Sequence, residues 1–406
     1  MNHRSFQVKL LERFCGKQPE GWEIIRLGDL FSERCERREP DPNYPLYSFT
    51  IESGVTPKTE RYERSFLVKE DGENHFKTVY PGDFVLNPMN LRWGAIGQSS
   101  TPNPVTVSGY YDVLIPKFSR GAALLQSLLR SYSLLSLYDI VATGSLLEKR
   151  RVHCSQFLDL CIYWPSHEEL EKLSGILSTW DEALTQLDAL IEAQERRKKA
   201  LMQQLLTGKK RFPSFKVKWK TVALGDVAEN VADQNKGRMG TTSLYGVTKA
   251  EGVVPMREHV KGVSFDRCKR VETDWFAYNP MRINIGSIAR WQGTETVMVS
   301  GDYVVFRCHP DKLLPAYLEH LRQSWMWQSF VTRGGNGSVR IRIYFSDLAE
   351  FTFPCPPIEE QRQIAAILDT ADQQLTLLRN HRTALEQQKR GLMQRLLTGK
   401  IRINAS

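Results

Sequence analysis

The chain has 406 residues, 41% of them hydrophobic and 25% charged, which excludes a disordered or fibrous protein and allows about two or three globular domains. Its formal net charge of +9 is compatible with a polyanionic partner but does not require one. Its seven cysteines include no Cys-x-x-Cys pair, which disfavours a disulfide framework or a thiolate zinc site and predicts reduced thiols.

The first predicted element is a short N-terminal segment, residues 1–21. Its sequence, MNHRSFQVKLLERF, lacks the continuous apolar core of a secretory signal. No apolar run of the chain reaches the length that spans a membrane. We therefore expect a soluble, cytoplasmic protein.

Residues 22–165 form the next predicted region. Its apolar stretches DFVLN and VTVSGYYDVLI are short and are bounded by Gly, Pro or Asn, which is typical of strands. The stretch ALLQSLLRSYSLLSLY has the spacing of short amphipathic helices. The sequence thus predicts an α/β module with a mixed or antiparallel sheet.

A long helix is predicted for residues 166–212. Acidic residues follow Pro165 where the helix begins, and Gly208 supplies the left-handed residue that ends it, with a lysine at the negative end of the dipole. Its apolar residues alternate spacings of three and four, as in a helix that winds around another helix. The predicted seam residues are Leu173, Leu177, Trp180, Leu184 and Leu187.

Residues 213–356 and 357–406 repeat the preceding region and helix. Glu171–Lys209 and Arg362–Lys400 match without a gap at 18 of 39 positions, and both end in LMQ-x-LLTGK. Upstream, WEIIRLGDL is echoed by WKTVALGDV, and NPMNLRWGAIG by NPMRINIGSIA. The chain is therefore two tandem units of about 190 residues, each an α/β region followed by a long helix. The predicted seam of the second helix comprises Ile364, Leu368, Leu375 and Leu378.

The residues do not form the reactive constellation of an enzyme. LNPMN and YNPMR come near the Asn-Pro-Pro-aromatic loop of an amino-methyltransferase, but they lack the second proline and the aromatic residue. LLTGKK lacks the upstream glycine and the following Ser or Thr of a phosphate-binding loop. The histidines lack metal-ligand spacing and the acidic residues are scattered. We expect no catalytic residue, no metal and no cofactor in this chain.

Each unit instead carries two loops rich in basic and polar residues at equivalent places. Arg can bond guanine bidentately and Asn can bond adenine, so such residues on a rigid scaffold can read base edges. A solvated surface charge is the better explanation for any one of them alone, and a weaker explanation for the loops as a set. One loop follows the Asn-Pro-Met turn and the other a Gly-Ser pair. The DNA-binding candidates are Asn90, Arg92, Trp93, Ser145, Lys149, Arg150 and Arg151 in the first unit, and Arg282, Asn284, Arg290, Ser338, Arg340 and Arg342 in the second.

Taken together, these features resemble the specificity subunit of type I restriction–modification systems, from Trp22 to about Ile403. The most specific part is PPIEEQRQIAAILDTADQQL with its LLTGK ending, and the Trp-x-x-x-x-Leu-Gly-Asp opening adds to it. The resemblance implies two target recognition domains, residues 22–165 and 213–356, each reading one half of a bipartite DNA target. It also implies that the two long helices form an antiparallel coiled coil with pseudo-two-fold symmetry.

The resemblance further implies partners. Two modification subunits, which are methyltransferases, would dock on the chain and restriction subunits would join through the complex. Catalysis would lie in those partners, which use S-adenosylmethionine and ATP. Because the loops after Gly144 and Gly337 differ in length and charge, we expect two different half-sites and an asymmetric double-stranded DNA target.

Two alternatives remain open at this point. One is a fused methyltransferase or nuclease, against which the missing cofactor loop and the missing acidic cluster count. The other is a coiled-coil scaffold without base readout, against which the unequal basic loops count.

Overall fold

The computed structural model describes residues 3–57, 76–118, 121–146, 149–256, 265–333 and 342–403. The chain divides into two compact units: unit 1 comprises Met1–Leu187 and Arg382–Ser406, and unit 2 comprises Asp188–His381. Each unit contains one α/β region and a part of each long helix, which confirms the predicted fold class. The boundaries of the five predicted segments stay a prediction.

Unit 1 begins with a helix that was not predicted from the sequence. Its sheets are antiparallel: a four-stranded sheet in the order β2-β9-β6-β7 and the strand pairs β1-β10, β3-β4 and β5-β8. In chain order, its elements are α1 (His3–Cys15), β1 (Glu23–Arg26), α2 (Leu27–Leu30), β2 (Phe31–Glu33), β3 (Tyr47–Thr50), β4 (Gly54–Pro57), β5 (Phe76–Val79), β6 (Phe84–Leu86), β7 (Ile96–Gln98), β8 (Val105–Ser108), β9 (Asp112–Pro116), α3 (Ala122–Leu129), α4 (Tyr132–Val141), α5 (Cys154–Asp159), β10 (Cys161–Trp164) and the long helix α6 (His167–Leu205), whose last part belongs to unit 2.

Unit 2 repeats this order. Its four-stranded sheets have the orders β12-β19-β16-β17 and β14-β13-β18-β15, β11 pairs with β20, and only the β13-β18 pair among the described strands is parallel. Its elements are β11 (Lys220–Ala223), α7 (Leu224–Val227), β12 (Ala228–Asn230), β13 (Leu244–Thr248), β14 (Gly252–Pro255), β15 (Lys269–Val271), β16 (Phe276–Tyr278), β17 (Ile288–Arg290), β18 (Val297–Val299), β19 (Val304–Cys308), α8 (Pro315–Leu321), α9 (Trp325–Arg333), α10 (Phe345–Leu348), β20 (Thr352–Cys355) and the long helix α11 (Ile358–Leu397), whose last part belongs to unit 1.

The central strand of each unit separates two apolar clusters, because successive side chains of a strand point to opposite faces. In unit 1, Phe84 and Leu86 of β6 face the large cluster that includes the helices, whereas Val85 faces a smaller cluster of valines. In unit 2, β16 divides Phe276 and Tyr278 from Ala277 in the same way. Full burial of one such aromatic side chain stabilises the fold by about 1.5–3 kcal/mol, so this strand anchors the turn that follows it.

The repeated Leu-Gly-Asp opening forms a short capped helix in both units. The Asp29 carboxylate accepts a hydrogen bond from the backbone N–H of Arg26 at 3.0 Å, which caps the first turn. Asp226 accepts the same bond from Ala223 at 3.1 Å. A larger residue than Gly28 would be crowded, since a Cβ there would lie 3.0 Å from the Leu158 carbonyl oxygen. The motif therefore fixes the connection from β1 to β2 in unit 1 and from β11 to β12 in unit 2.

The two long helices meet antiparallel within each unit. In unit 1, Leu173 near the start of α6 shares an apolar cluster with Leu396 near the end of α11. In unit 2, Ile364 near the start of α11 shares a cluster with Leu205 at the end of α6. Gly208 and Gly399 have φ angles of 70° and 65°, which confirms the predicted left-handed helix endings. Of the other predicted seam residues, Leu177, Leu368 and Leu375 are buried, and Trp180, Leu184, Leu187 and Leu378 are half-buried.

Polar residues of the seam pair across the helices. In unit 1, Lys389 of α11 forms an ion pair with Asp181 of α6. In unit 2, Lys198 of α6 lies 2.5 Å from Asp372 of α11. These are equivalent positions of the repeat, so each helix supplies the acid in one unit and the lysine in the other. Because half-exposed pairs contribute at most about 1 kcal/mol, we assign them to helix register rather than to stability.

A buried histidine gives unit 2 a dependence on pH. The side chain of His320 on α8 is almost fully buried, with Nε2 2.8 Å from Asp369 Oδ1 and Nδ1 3.9 Å from Asp372 Oδ2. Burial lowers the pKa of His320 below its ordinary value of 6.5; the two carboxylates oppose this shift, and Lys198 adds to it. Between pH 6.5 and the lower folded pKa, the unfolded chain binds more protons than the folded chain. The free energy of unfolding therefore falls as the pH falls through this window.

We expect His320→Gln to remove part of this pH dependence. In the parent chain, the unfolding midpoint of unit 2 in urea should decrease between pH 7.5 and 5.5, and in the variant it should decrease less. His381→Gln is the control, since His381 is exposed. An equal decrease in the parent chain and in His320→Gln would assign the pH dependence to other groups.

Candidate nucleic-acid interface

The Asn-Pro-Met turn forms the same corner in both units. In unit 1, Asn87 follows β6, and its side-chain Oδ1 accepts a hydrogen bond from the backbone N–H of Met89 at 3.0 Å. In unit 2, Asn279 follows β16 and accepts the equivalent bond from Met281 at 3.0 Å. Asparagine is suited to this position because its side chain mimics a backbone turn. The turn predicted from the sequence is confirmed.

A single 3-10 turn follows each corner and projects one apolar side chain outward. Leu91 and Ile283 begin the turns and are buried. Trp93 and Ile285 end them and are 58% and 59% exposed. The next residue, Gly94 in unit 1, has a φ of 88°, a left-handed conformation that returns the chain to the sheet. Each corner thus combines a buried anchor with an exposed apolar tip.

The second candidate loop returns to the same corner. The backbone N–H of Val152 donates to the Pro88 carbonyl at 3.0 Å, and that of Ile343 donates to the Pro280 carbonyl at 3.1 Å. Both donors belong to buried residues. The residues directly before them are exposed arginines, Arg151 and Arg342. The structure therefore brings the two candidate loops of each unit together and gives them one equivalent arginine.

In unit 1, two of the predicted residues support the loops rather than extending from them. Arg92 is 7% exposed, and its Nη1 lies 2.7 Å from Asp139 Oδ1. Arg150 Nη2 donates to the carbonyl oxygens of Asp139 at 2.7 Å and Ala142 at 2.9 Å. Both guanidinium groups thus hold the loops to the end of α4, where a positive charge is favoured. The exposed candidates of unit 1 are Asn90, Trp93, Ser145, Lys149 and Arg151.

Unit 2 presents a different set of side chains on the same framework. Arg282, Asn284 and Arg342 are exposed. Arg290 is largely buried, with Nη1 3.4 Å from Asp274 Oδ1. Ser338 and Arg340 lie outside the described residues. At equivalent positions, therefore, Asn90 corresponds to Arg282 and Trp93 to Ile285. Which of the predicted residues contact DNA stays a prediction.

Among the described residues, these corners offer amide and guanidinium donors beside an apolar tip, and they hold no paired nucleophile and base. Within the described ranges, no group of three or more His, Cys, Asp or Glu could hold a metal ion. Among the helices that the structure describes, none is long and apolar enough to cross a membrane.

A second duplicated cluster, which we call the clamp, was not recognised from the sequence. In unit 1, Glu169 at the start of α6 is 6% exposed at its side chain and accepts a hydrogen bond from Trp22 Nε1 at 2.8 Å. Arg402 donates from Nε and Nη2 to both oxygens of Glu169, at 3.0 Å each. A bidentate guanidinium–carboxylate pair is among the strongest side-chain interactions.

The clamp of unit 2 has the same composition. Glu360 is fully buried, and it accepts from Trp219 Nε1 at 2.8 Å and from Arg211 at 3.0 and 2.7 Å. The bond to Glu360 raises the pKa of Arg211 above its ordinary value. The signal in the sequence was the arginine placed two residues after LLTGK in both copies. The clamp explains why the tryptophan, the acid at the helix start and the helix ending are all repeated.

The chain is similar in sequence to known proteins. A family model described as a type I restriction modification DNA specificity domain matches residues 216–387. The MjaX type I restriction enzyme specificity subunit of Methanocaldococcus jannaschii is 24% identical, over 96% of this chain and 95% of that protein.

Two solved structures have a similar fold. The S subunit of a type I restriction–modification system from M. genitalium superposes with a TM-score of 0.51 at 13% identity, covering 95% of this chain and 97% of that one. A chain from a structure on complex assembly and conformational transition of the type I R-M system gives 0.53 at 17% identity, covering 95% of this chain and 100% of that one. Both similarities extend over both units.

Proposed function

This chain belongs to the specificity subunits of type I restriction–modification systems, and we propose that each of its units reads one half of a bipartite DNA target. The supporting observation is the duplicated corner. In each unit a backbone hydrogen bond to the proline carbonyl joins the Asn-Pro-Met turn to a loop that ends in an exposed arginine, Arg151 or Arg342. A rigid strand holds each corner, as readout of base edges requires. The chain itself is non-catalytic.

The exposed side chains of the corners match the donor and acceptor patterns of the major groove. Arg151 and Arg342 can bond guanine O6 and N7, and Asn90 or Asn284 can bond adenine N6 and N7. Trp93 and Ile285 can contact thymine methyl groups. Lys149 and the net charge of +9 favour the phosphate backbone. Because Asn90 in one unit corresponds to Arg282 in the other, the two half-sites should differ.

We further propose that α6 and α11 form an antiparallel coiled coil that sets the gap between the half-sites. The Lys389–Asp181 and Lys198–Asp372 pairs support it, since they join the helices antiparallel within each unit. Duplicated helices give one chain two equivalent surfaces, which suits two copies of a modification subunit. Restriction subunits would join through the complex. These partners would use S-adenosylmethionine and ATP, this chain needs no cofactor, and the complex would act on DNA in the cytoplasm.

Substitution of the corner arginines tests base readout. We expect Arg151→Ala to weaken recognition of one half-site and Arg342→Ala that of the other, with about 1–3 kcal/mol less discrimination at one base pair each. Arg→Lys at the same positions keeps the charge but loses the bidentate geometry, so it should also lose discrimination. The measurement is binding of the assembled complex to duplexes that carry single base-pair substitutions.

Arg196→Ala is the control, because Arg196 is an exposed arginine of α6 that lies 3.6 Å from Glu192, one turn earlier on the same helix. It should leave discrimination unchanged. If the corner variants lowered affinity equally for every duplex and full affinity returned with lysine, the corners would contact phosphates alone.

A further inference from the structure

In unit 1, an amphipathic helix covers one face of the α/β region. Helix α1 packs against α4 and β10, with Leu10 and Leu11 buried in the main apolar cluster. The Tyr163 hydroxyl of β10 donates to the carbonyl of Gly16 at 2.9 Å, just after the helix. As a result, Cys161 and Tyr163, on one face of β10, are buried.

Among the residues that the structure describes, no helix covers the equivalent face of unit 2, and a groove lies there. Helix α9 corresponds to α4, and β20 corresponds to β10. In unit 2, however, the chain before Trp219 consists of the end of α6 and the turn that follows it, rather than a helix equivalent to α1. Between α9 and β20 lies a groove of about 380 Å³, lined by Trp325, Met326, Ser329, Phe330, Arg333, Phe351 and Thr352. Thr352, at the position of the buried Cys161, is exposed, and Phe330, at the position of the buried Leu137, is half-buried.

We propose that this groove binds an amphipathic helix of a partner protein, in the place that α1 occupies in unit 1. The repeat supplies the argument, because the same pair of elements already has a helix as its ligand in the other unit. The buried residues of α1 fall at Gln7, Leu10 and Leu11, a spacing that places them on one helical face. The partner helix should present leucine or phenylalanine at this spacing, with an acidic residue beside Arg333 at the end of α9.

A second copy of this chain is the weaker occupant. To fill the groove, helix α1 of the second copy would have to leave its own unit. Leu10 and Leu11 of that copy would then lose their burial in its unit 1. A helix from another subunit of the complex has no such cost. The inference takes the modification subunit as this partner and therefore rests on the proposed function. Two identical modification subunits would then meet two different faces, one covered by α1 and one open.

Site-specific photo-crosslinking in the assembled complex tests this inference. The photoreactive residue p-benzoylphenylalanine is placed at Thr352, whose equivalent Cys161 is buried under α1, or, as the control, at Tyr132, which stays 79% exposed beside α1 in unit 1. We expect position 352 to crosslink to one amphipathic helix of the modification subunit and position 132 not to do so. A crosslink to a second copy of this chain, crosslinks at both positions, or none at 352 would overturn the proposal.

A second test measures affinity. Thr352→Glu places a charge where the partner helix would bury it, so it should weaken binding of the modification subunit about tenfold or more, whereas Tyr132→Glu should not change it. Base discrimination should be the same in both variants. If Thr352→Glu binds as tightly as the parent chain, the groove is not an interface. Failure of the proposed function would instead appear as the absence of a split modified motif with the parent chain.

Discussion

Replacing Glu169 by alanine should destabilise unit 1. The substitution leaves the indole N–H of buried Trp22 and the Arg402 guanidinium without their carboxylate. Because Arg402 is 37% exposed at its side chain, its charge can still be hydrated, and the loss should be about 1–3 kcal/mol, set mainly by the unsatisfied indole N–H, out of the roughly 5–15 kcal/mol typical of a whole domain. The loss should appear as a lower urea midpoint and as release of the segment around Arg402.

The neighbouring acid provides a matched control for this prediction. Glu168 is exposed and forms an ion pair with Lys172 one turn along the helix, so Glu168→Ala should change the free energy of unfolding by less than about 0.5 kcal/mol. Glu169→Gln keeps an acceptor for Trp22 and should fall between the two. Equal unfolding midpoints for Glu168→Ala and Glu169→Ala would show that the clamp does not hold the unit together.

The same experiment can be repeated in the other unit. There Glu360→Ala removes the acceptor of Trp219 and Arg211, and the exposed Glu359 provides the control. Since the two clamps have the same composition, the two pairs of variants should behave alike. Selective destabilisation of unit 1 or unit 2 by the respective variant would identify the clamps as independent supports.

Exchange of one recognition region should replace one half of the DNA target and leave the other half unchanged. Two contacts that build the first corner, the Pro88–Val152 hydrogen bond and the Arg92–Asp139 ion pair, lie within unit 1. Residues 1–165 are the piece to exchange for that of another family member. This piece keeps β1 with β10 and α1 with the α4 face that it covers. It also supplies the tryptophan for Glu169.

The readout is the set of bases that the assembled complex modifies. We expect a complete change in one half of the motif, with the second half and the gap retained. The reciprocal exchange of residues 213–356 should change only the second half. If either exchange changed both halves, the two corners would not read DNA independently.

The repeated elements could be predicted from the sequence because they depend on local patterns. The spacing of Leu173 and Leu177 predicts a helix seam, and Gly208 predicts its end. The turn at Asn87 is likewise set by residues next to it. These predictions agree with the structure because each depends on a few neighbouring residues and on burial of one apolar face.

The features that were missed depend on contacts between distant residues. Pro88 and Val152 are far apart in the chain, so the joining of the two loops could not be seen from either loop alone. The roles of Arg92 and Arg150 depend on the position of Asp139 at the end of α4. Helix α1 was missed because only its packing on α4 and β10 shows which of its faces is buried.

The central claim is that this chain directs a modification subunit to a DNA target in two parts. The most direct measurement is sequencing of modified bases in the DNA of a host that expresses this chain with its modification subunit, compared with a host that expresses the modification subunit alone. The account predicts a new modified motif, present only with this chain, with two defined halves around a gap of fixed length. Modification of the same sites without this chain, or a motif without two separate halves, would contradict it.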